Sequence, residues 1–154
     1  MATSSSIRIT GDGFAVLAGN VDLQPTASGA WTNTGLELTL PAAGVYHLDA
    51  SVRAALSGTS TVNTWIVARL WDVTAGALVP SSEVLVHQIS LSTAGAAVTN
   101  GSNQHGAISV RYAVPAARLV RLQVARVNGA GASASAAILS ADNGRTTLRY
   151  ERIT

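Results

Sequence analysis

The chain has 154 residues, no cysteine and no lysine, and only 12% of its residues are charged. That length suits one domain with a core of its own. The missing cysteine excludes disulfides and thiolate metal sites. Ten scattered arginines make no basic run or stripe of the kind that nucleic-acid binding needs.

Eighteen charges over the roughly 7,300 Å² that a monomer of this mass exposes is a thin coat for a freely soluble small domain. Part of the surface is therefore expected to be covered, most simply by further copies of the chain. No apolar run is long enough to span a membrane as a helix. The start, "MATSSSIRIT", carries neither a basic leader nor an apolar stretch, so the expectation is a complete chain made in the cytoplasm.

Residues 1–6 are small and polar. "SIRITGDGFAVLAGNVDL" (6–23) is broken by three glycines and reads as an extended arm or edge strand, followed by the loop "QPTASGA" (24–30). "GLELTL" sets Leu36, Leu38 and Leu40 on one face, and "PAAG" (41–44) is turn chemistry. "GVYHLDASVRAAL" (44–56) alternates cleanly, with Tyr46, Leu48, Ala50, Val52, Ala54 and Leu56 on one side. "SGTSTVN" (57–63) reads as a loop. "TWIVARLWD" (64–72) is a strand with Trp65, Val67, Arg69 and Trp71 on one side and Ile66, Ala68 and Leu70 on the other. Both sides are mostly apolar, which implies cover on both.

"VTAGALVP" reads as a hairpin-like connection and "SEVLVHQISL" as a strand. "STAGAAVTNGSNQ" (92–104) reads as a surface loop. "HGAISVRYAV" points Ile108, Val110, Tyr112 and Val114 inward, and "ARLVRLQVARV" does the same for Val120, Leu122 and Val124. "ASASAAILS" is a strand of small residues. The Asn143-Gly144 pair is a hairpin signal ahead of the closing strand "TTLRYERI". Eight or nine short strands with no helical periodicity define an all-β chain, a sandwich or jelly roll.

His47, Asp49 and Ser51 share one strand face, but a single flat strand spreads such groups in line and a triad needs convergence. The expectation is an exposed polar face, with Arg53 as an ion-pair partner. "GDG" (11–13) and "DNG" (142–144) lack the ligand spacing of a calcium loop and read as turns. Neither catalytic residues nor a metal or other cofactor is expected, and the chain reads as a non-enzyme. Trp31, Trp65 and Trp71 suit a sugar-stacking platform or, on the reading preferred here, buried strand aromatics.

From residue 31 onward, "WTNTGLELTLPAAGVYHLDASVRA", "TWIVARLWD", "AISVRYAVPAARLVRLQVARVN" and "ASASAAILS" resemble the tumour-necrosis-factor-like jelly roll, in the variant of the globular head of complement's first component. The Gly44-Val45-Tyr46 strand behind its Pro/Gly turn is the best-matching piece. Where that family carries an aromatic-rich terminal strand, this chain has Ser133, Ser135 and Ala136, and the family's calcium-site carboxylates have no match. The resemblance implies a homotrimer, as found among bacteriophage virion proteins, with apolar strands buried on a three-fold axis.

Together these readings give an arm or docking segment at 1–28 and a jelly roll at 29–154. The expected function is that of a structural virion protein, a phage capsid decoration (cement) or head-fibre trimer, located in the virion. Its partners would be itself and a major capsid protein or another virion protein, with no nucleic acid and no membrane. Phe14, Val16 and Leu17 are expected to anchor the arm, and Trp65, Val67 and Trp71 to face neighbouring copies. The alternatives are a phage tail or fibre tip, or a lectin-like module, binding a cell-surface glycan through the 57–63 and 92–104 loops.

Overall fold

In a computed structural model, residues 8–93 and 97–153 are described. Among them the chain forms eleven strands: β1 (Ile9–Val16), β2 (Val21–Asp22), β3 (Thr32–Leu40), β4 (Gly44–Thr59), β5 (Val62–Asp72), β6 (Ala77–Leu78), β7 (Val84–Leu91), β8 (Thr99–Val114), β9 (Arg118–Ala130), β10 (Ser133–Leu139) and β11 (Thr147–Ile153). Two antiparallel sheets result. Sheet A runs β1-β11-β4-β10-β2 with β8 also on β4, and sheet B runs β3-β9-β5-β6 with β7 also on β5.

Several of these strands are collinear pieces. β8 follows β4 along its whole length. On the other edge of β4, β11 covers Val45–Ser51 and β10 covers Arg53–Gly58. β1 and β2 line up outside them in turn, and β6 and β7 share one edge of β5. Counted as lines in chain order, sheet A is 1-8-3-6 and sheet B is 2-7-4-5. That is the connectivity of a jelly roll.

The alternation that suggested β4 is realised residue by residue: Tyr46, Leu48, Ala50, Val52, Ala54 and Leu56 are all buried. Facing them are Leu36 and Leu40 of β3, Ile66, Ala68 and Leu70 of β5, and Val120, Leu122 and Val124 of β9. Tyr46 and Tyr150 meet edge to face with centroids 5.4 Å apart. The buried Tyr46 hydroxyl donates to Ala42 O at 2.9 Å, so the aromatic enters the core without stranding a polar group.

Four expectations are corrected. First, of the expected arm at 1–28, residues 9–23 lie within the sandwich. β1 pairs with β11 and β2 with β10, and both Leu17 and Leu23 are in the core. Residues 1–7 lie outside the described residues. Second, the 57–63 loop shrinks to Ser60 and Thr61, because β4 and β5 extend through polar residues that cross-strand hydroxyl pairs support. Ser57 Oγ lies 2.5 Å from Ser135 Oγ, and Thr59 Oγ1 lies 2.7 Å from Thr99 Oγ1. Third, residues 99–104 of the expected 92–104 loop belong to β8, held by the β4 ladder although every one of them is exposed. Residues 94–96 of that stretch lie outside the described residues.

Fourth, Asn143-Gly144 makes a tight reversal closed by Ala141 and Gly144, yet the flanking strands do not pair with each other. β10 and β11 run the same way along β4. The excursion skips the rung at Val52, and Thr146 fills the gap: its Oγ1 accepts from Arg53 N at 3.0 Å and donates to Leu139 O at 2.8 Å.

Leu23→Ala is expected to cost about 2–5 kcal/mol in urea-induced unfolding, the range for a buried leucine. A chain beginning at residue 29 is expected to lose its cooperative transition. An unchanged midpoint for Leu23→Ala would show that β2 adds nothing to the core.

Candidate functional site

The candidate sites lie on the outward faces of the two sheets and at the open edge between them. On sheet A, ladder register sets four rows across β1, β11, β4 and β8: Val16-Thr147-Ser51-Ala107, Phe14-Arg149-Asp49-Ser109, Asp12-Glu151-His47-Arg111 and Ile9-Ile153-Val45-Ala113. A register shift between Ile9 and Gly11 keeps Ile9 on the same side as Phe14 and Val16, the usual effect of a bulge on side-chain direction. Phe14 is 62% exposed, Ile9 54% and Val16 42%. Leu17 is 4% exposed, so its expected part in docking is corrected. Alternation along β1 turns this side chain inward, opposite in direction to Phe14 and Val16, and Leu17 N bonds to Thr146 O in continuation of the β1–β11 register.

The middle of this face is a charge lattice. Arg149 Nε donates to Asp49 Oδ2 at 3.1 Å and Arg149 Nη2 lies 3.4 Å from Glu151. His47 Nε2 sits 2.9 Å from Ser109 Oγ and 3.7 Å from Asp49 Oδ1. The expected partner for Asp49, Arg53, turns instead to Gly144 O at 3.1 Å. Arg149 is directly opposite Asp49 on the adjacent strand, about 5 Å away, whereas a residue four further along one strand is about 13 Å distant. Ser51 is engaged by a different imidazole, His105, at 2.6 Å. Ser51, His47 and Asp49 therefore do not converge. A shallow depression lined by Ile9, His47, Arg111, Glu151 and Ile153 indents one end of the face.

The outward face of sheet B carries Trp65, Val67, Arg69 and Trp71 of β5, all half-buried. The tryptophans are not core residues, which corrects the expectation of burial. A single chain places no second layer on this side of β5. Arg69 fills part of that role: its guanidinium lies 3.9 Å from the Trp31 ring centroid and 4.6 Å from that of Trp71, a double cation–π stack. Arg69 Nε donates to Gln123 Oε1 at 3.0 Å, and Gln123 Nε2 donates on to Asn33 Oδ1 at 2.7 Å. Arg121 pairs with Glu37 at 2.8 Å. Beside this polar half runs an apolar row, Leu85-Val67-Ala125.

Three polar clusters escaped the sequence reading because their members lie far apart in the chain. Asp72 is fully buried and satisfied. Its Oδ2 accepts from the Tyr112 hydroxyl at 2.6 Å, its Oδ1 from Ala75 N at 2.8 Å, and Arg118 Nε lies 3.6 Å away. Arg126 is buried among neutral acceptors, donating to Ser133 Oγ at 3.0 Å and to Thr26 O. This ties the 24–30 loop to β9 and β10. His87 of β7 is buried and reaches Ser102 of β8. Among the described residues, no three His, Asp or Glu side chains cluster as metal ligands.

No family model and no curated protein sequence matches the chain. Among solved structures, it is similar to the VP2 subviral particle of infectious bursal disease virus, with TM-score 0.46 and 13% identity over 100% of this chain and 39% of that one. It is similar also to the Gt strain of that virus, at 0.46 and 12% over 94% and 38%, and to the Gx strain, at 0.43 and 13% over 98% and 38%. The chain thus spans about two-fifths of the length of each.

Burial, followed by the hydrogen bond to Asp72, pushes the Tyr112 hydroxyl up to about 12 from the usual value of about 10. The folded value lies above the unfolded one, so this group's stabilisation is full below about pH 10 and is lost as pH rises through about 12. Tyr112→Phe is expected to cost about 1–3 kcal/mol at neutral pH, since it removes a donor from a buried carboxylate. Ultraviolet titration is expected to lose a phenolate step near pH 12 in that variant.

Proposed function

We propose that the chain is a structural virion protein, a tumour-necrosis-factor-like jelly-roll trimer that decorates a phage capsid or forms a head fibre. The observation that carries this reading is the row of exposed Ile9, Phe14 and Val16 on a sandwich whose core is already closed without them. Side chains of this size on one edge strand leave about half of their surface in water in a single copy. They gain about 25 cal/mol per Å² once a neighbour covers them. The thin charge coat supports the same reading: of eighteen charges, Asp72 and Arg126 are buried, and the rest stand on 7779 Å² of accessible surface, about one per 490 Å².

In this arrangement Phe14 and Val16 dock on the shell, and Trp65, Val67 and Trp71 face neighbouring copies. The mixed charges around Asp49, Arg149 and Arg111 set register and reject wrong partners.

Light-scattering mass measurement at micromolar concentration is expected to give three copies, and a stable monomer would overturn the trimer. Val67→Glu introduces a charge at a half-exposed position, so it is expected to leave the fold intact and yield monomers. Phe14→Ser with Val16→Ser is expected to leave the trimer intact and abolish co-sedimentation with shells. Unimpaired co-sedimentation removes the docking role of β1. Copy number per particle separates decoration, at hundreds, from a tail tip, at a handful.

A further inference from the structure

We propose a binding site for a neutral saccharide in the open mouth between β7 and the first half of β8. β7 is the outer strand of sheet B and β8 the outer strand of sheet A, both on the same side of the sandwich. They touch at Gly106, where an added Cβ would stand 3.1 Å from Val86 Cα. From there toward Asn100 they part. The concavity left between them is about 390 Å³, within the ~300–1,000 Å³ of small-molecule sites.

A bulge shapes the floor. Ile66 pairs with His87 and Val67 with Leu85, so Val86 and His87 both point into the sandwich. His87 is 4% exposed. Its Nε2 lies 2.9 Å from Ser102 O and 3.0 Å from Ser102 Oγ. A carbonyl only accepts, so Nε2 carries the proton and Nδ1 is left as a lone-pair acceptor. That Nδ1 is buried and has no partner among the described residues, an unmet acceptor on a side chain that lines the polar mouth.

The walls point to the ligand's chemistry. The side chains of Asn100, Ser102, Gln104 and Ser90 offer amide and hydroxyl groups, flanked by apolar Leu85 and Leu91, and no lining residue is charged. Neutral donors and acceptors beside small apolar patches suit a ligand with hydroxyls and C–H faces. With no cation in the lining, a phosphate or carboxylate has no counter-charge there. The site needs only one chain, so it stands or falls independently of the trimer.

The test is ¹⁵N-detected titration of the intact protein with maltose, lactose and chitobiose, with sialyllactose as the anionic comparison. Shifts from at least one neutral sugar are expected to map to 85–91 and 100–106. Asn100→Ala and Gln104→Ala alter exposed positions and are expected to fold normally and weaken binding about tenfold. No shifts with any neutral sugar, shifts that map to Trp31, Trp65 and Trp71 instead, a preference for sialyllactose, or unchanged affinity in both variants would each overturn the proposal.

Discussion

Sheet A hangs on one strand. β4 runs for sixteen residues and is paired on both edges nearly throughout, with β8 along one side and β11 then β10 along the other. β8 is as long but pairs only with β4. Its inward residues form the middle of one wall of the core, and its outward residues His47, Asp49 and Ser51 form the middle of the charged face. A one-residue slip of β4 would exchange these two sets. Register along β4 therefore decides both what is buried and which polar groups meet.

Breaks in regularity re-aim side chains in both sheets. The 140–146 excursion lets one chain direction continue along β4 in two pieces, with Thr146 supplying the missing contacts. The bulge at the start of β1 keeps Ile9 beside Phe14 and Val16, and the bulge in β7 turns His87 inward. Each adds one residue to a ladder and re-aims a side chain. Exposed Ile9 on the outer face and a buried, unmet His87 Nδ1 are the outcome.

The two outward faces are chemically different. Sheet A presents interlocked charges beside an apolar edge. Sheet B presents an arginine stacked between two indoles beside an apolar row. Arg69 has its Nε on Gln123 and its cation against both rings, so that half is rigid and internally satisfied. In the proposed assembly the apolar rows supply the attraction for a neighbour and the polar halves the orientation.

The all-β class, the strands around Leu36, Tyr46, Ile66, Val110 and Leu122, and the inward face of each were legible from alternation alone, because a period of two directly encodes which side is buried. Polar strand segments were not. Thr99–Gln104 alternates nothing that burial would select, and only the ladder with β4 makes it a strand. The Asn-Gly reversal was legible as a turn, but which strands it joins depends on a template ninety residues earlier.

The same division holds for the surfaces. Phe14 and Val16 could be singled out as apolar residues on a weak strand, and the same alternation that turns them outward turns Leu17 inward. Asp72 with Tyr112, Arg126 with Ser133, Arg149 with Asp49 and His87 with Ser102 come together across gaps in sequence that only strand order closes. Sequence by itself determined the class, the buried face of each regular strand and the scarcity of charge, since these are local or compositional. Tertiary structure alone decided register, the bulges and the polar pairings between strands, because those depend on which distant strand lies alongside.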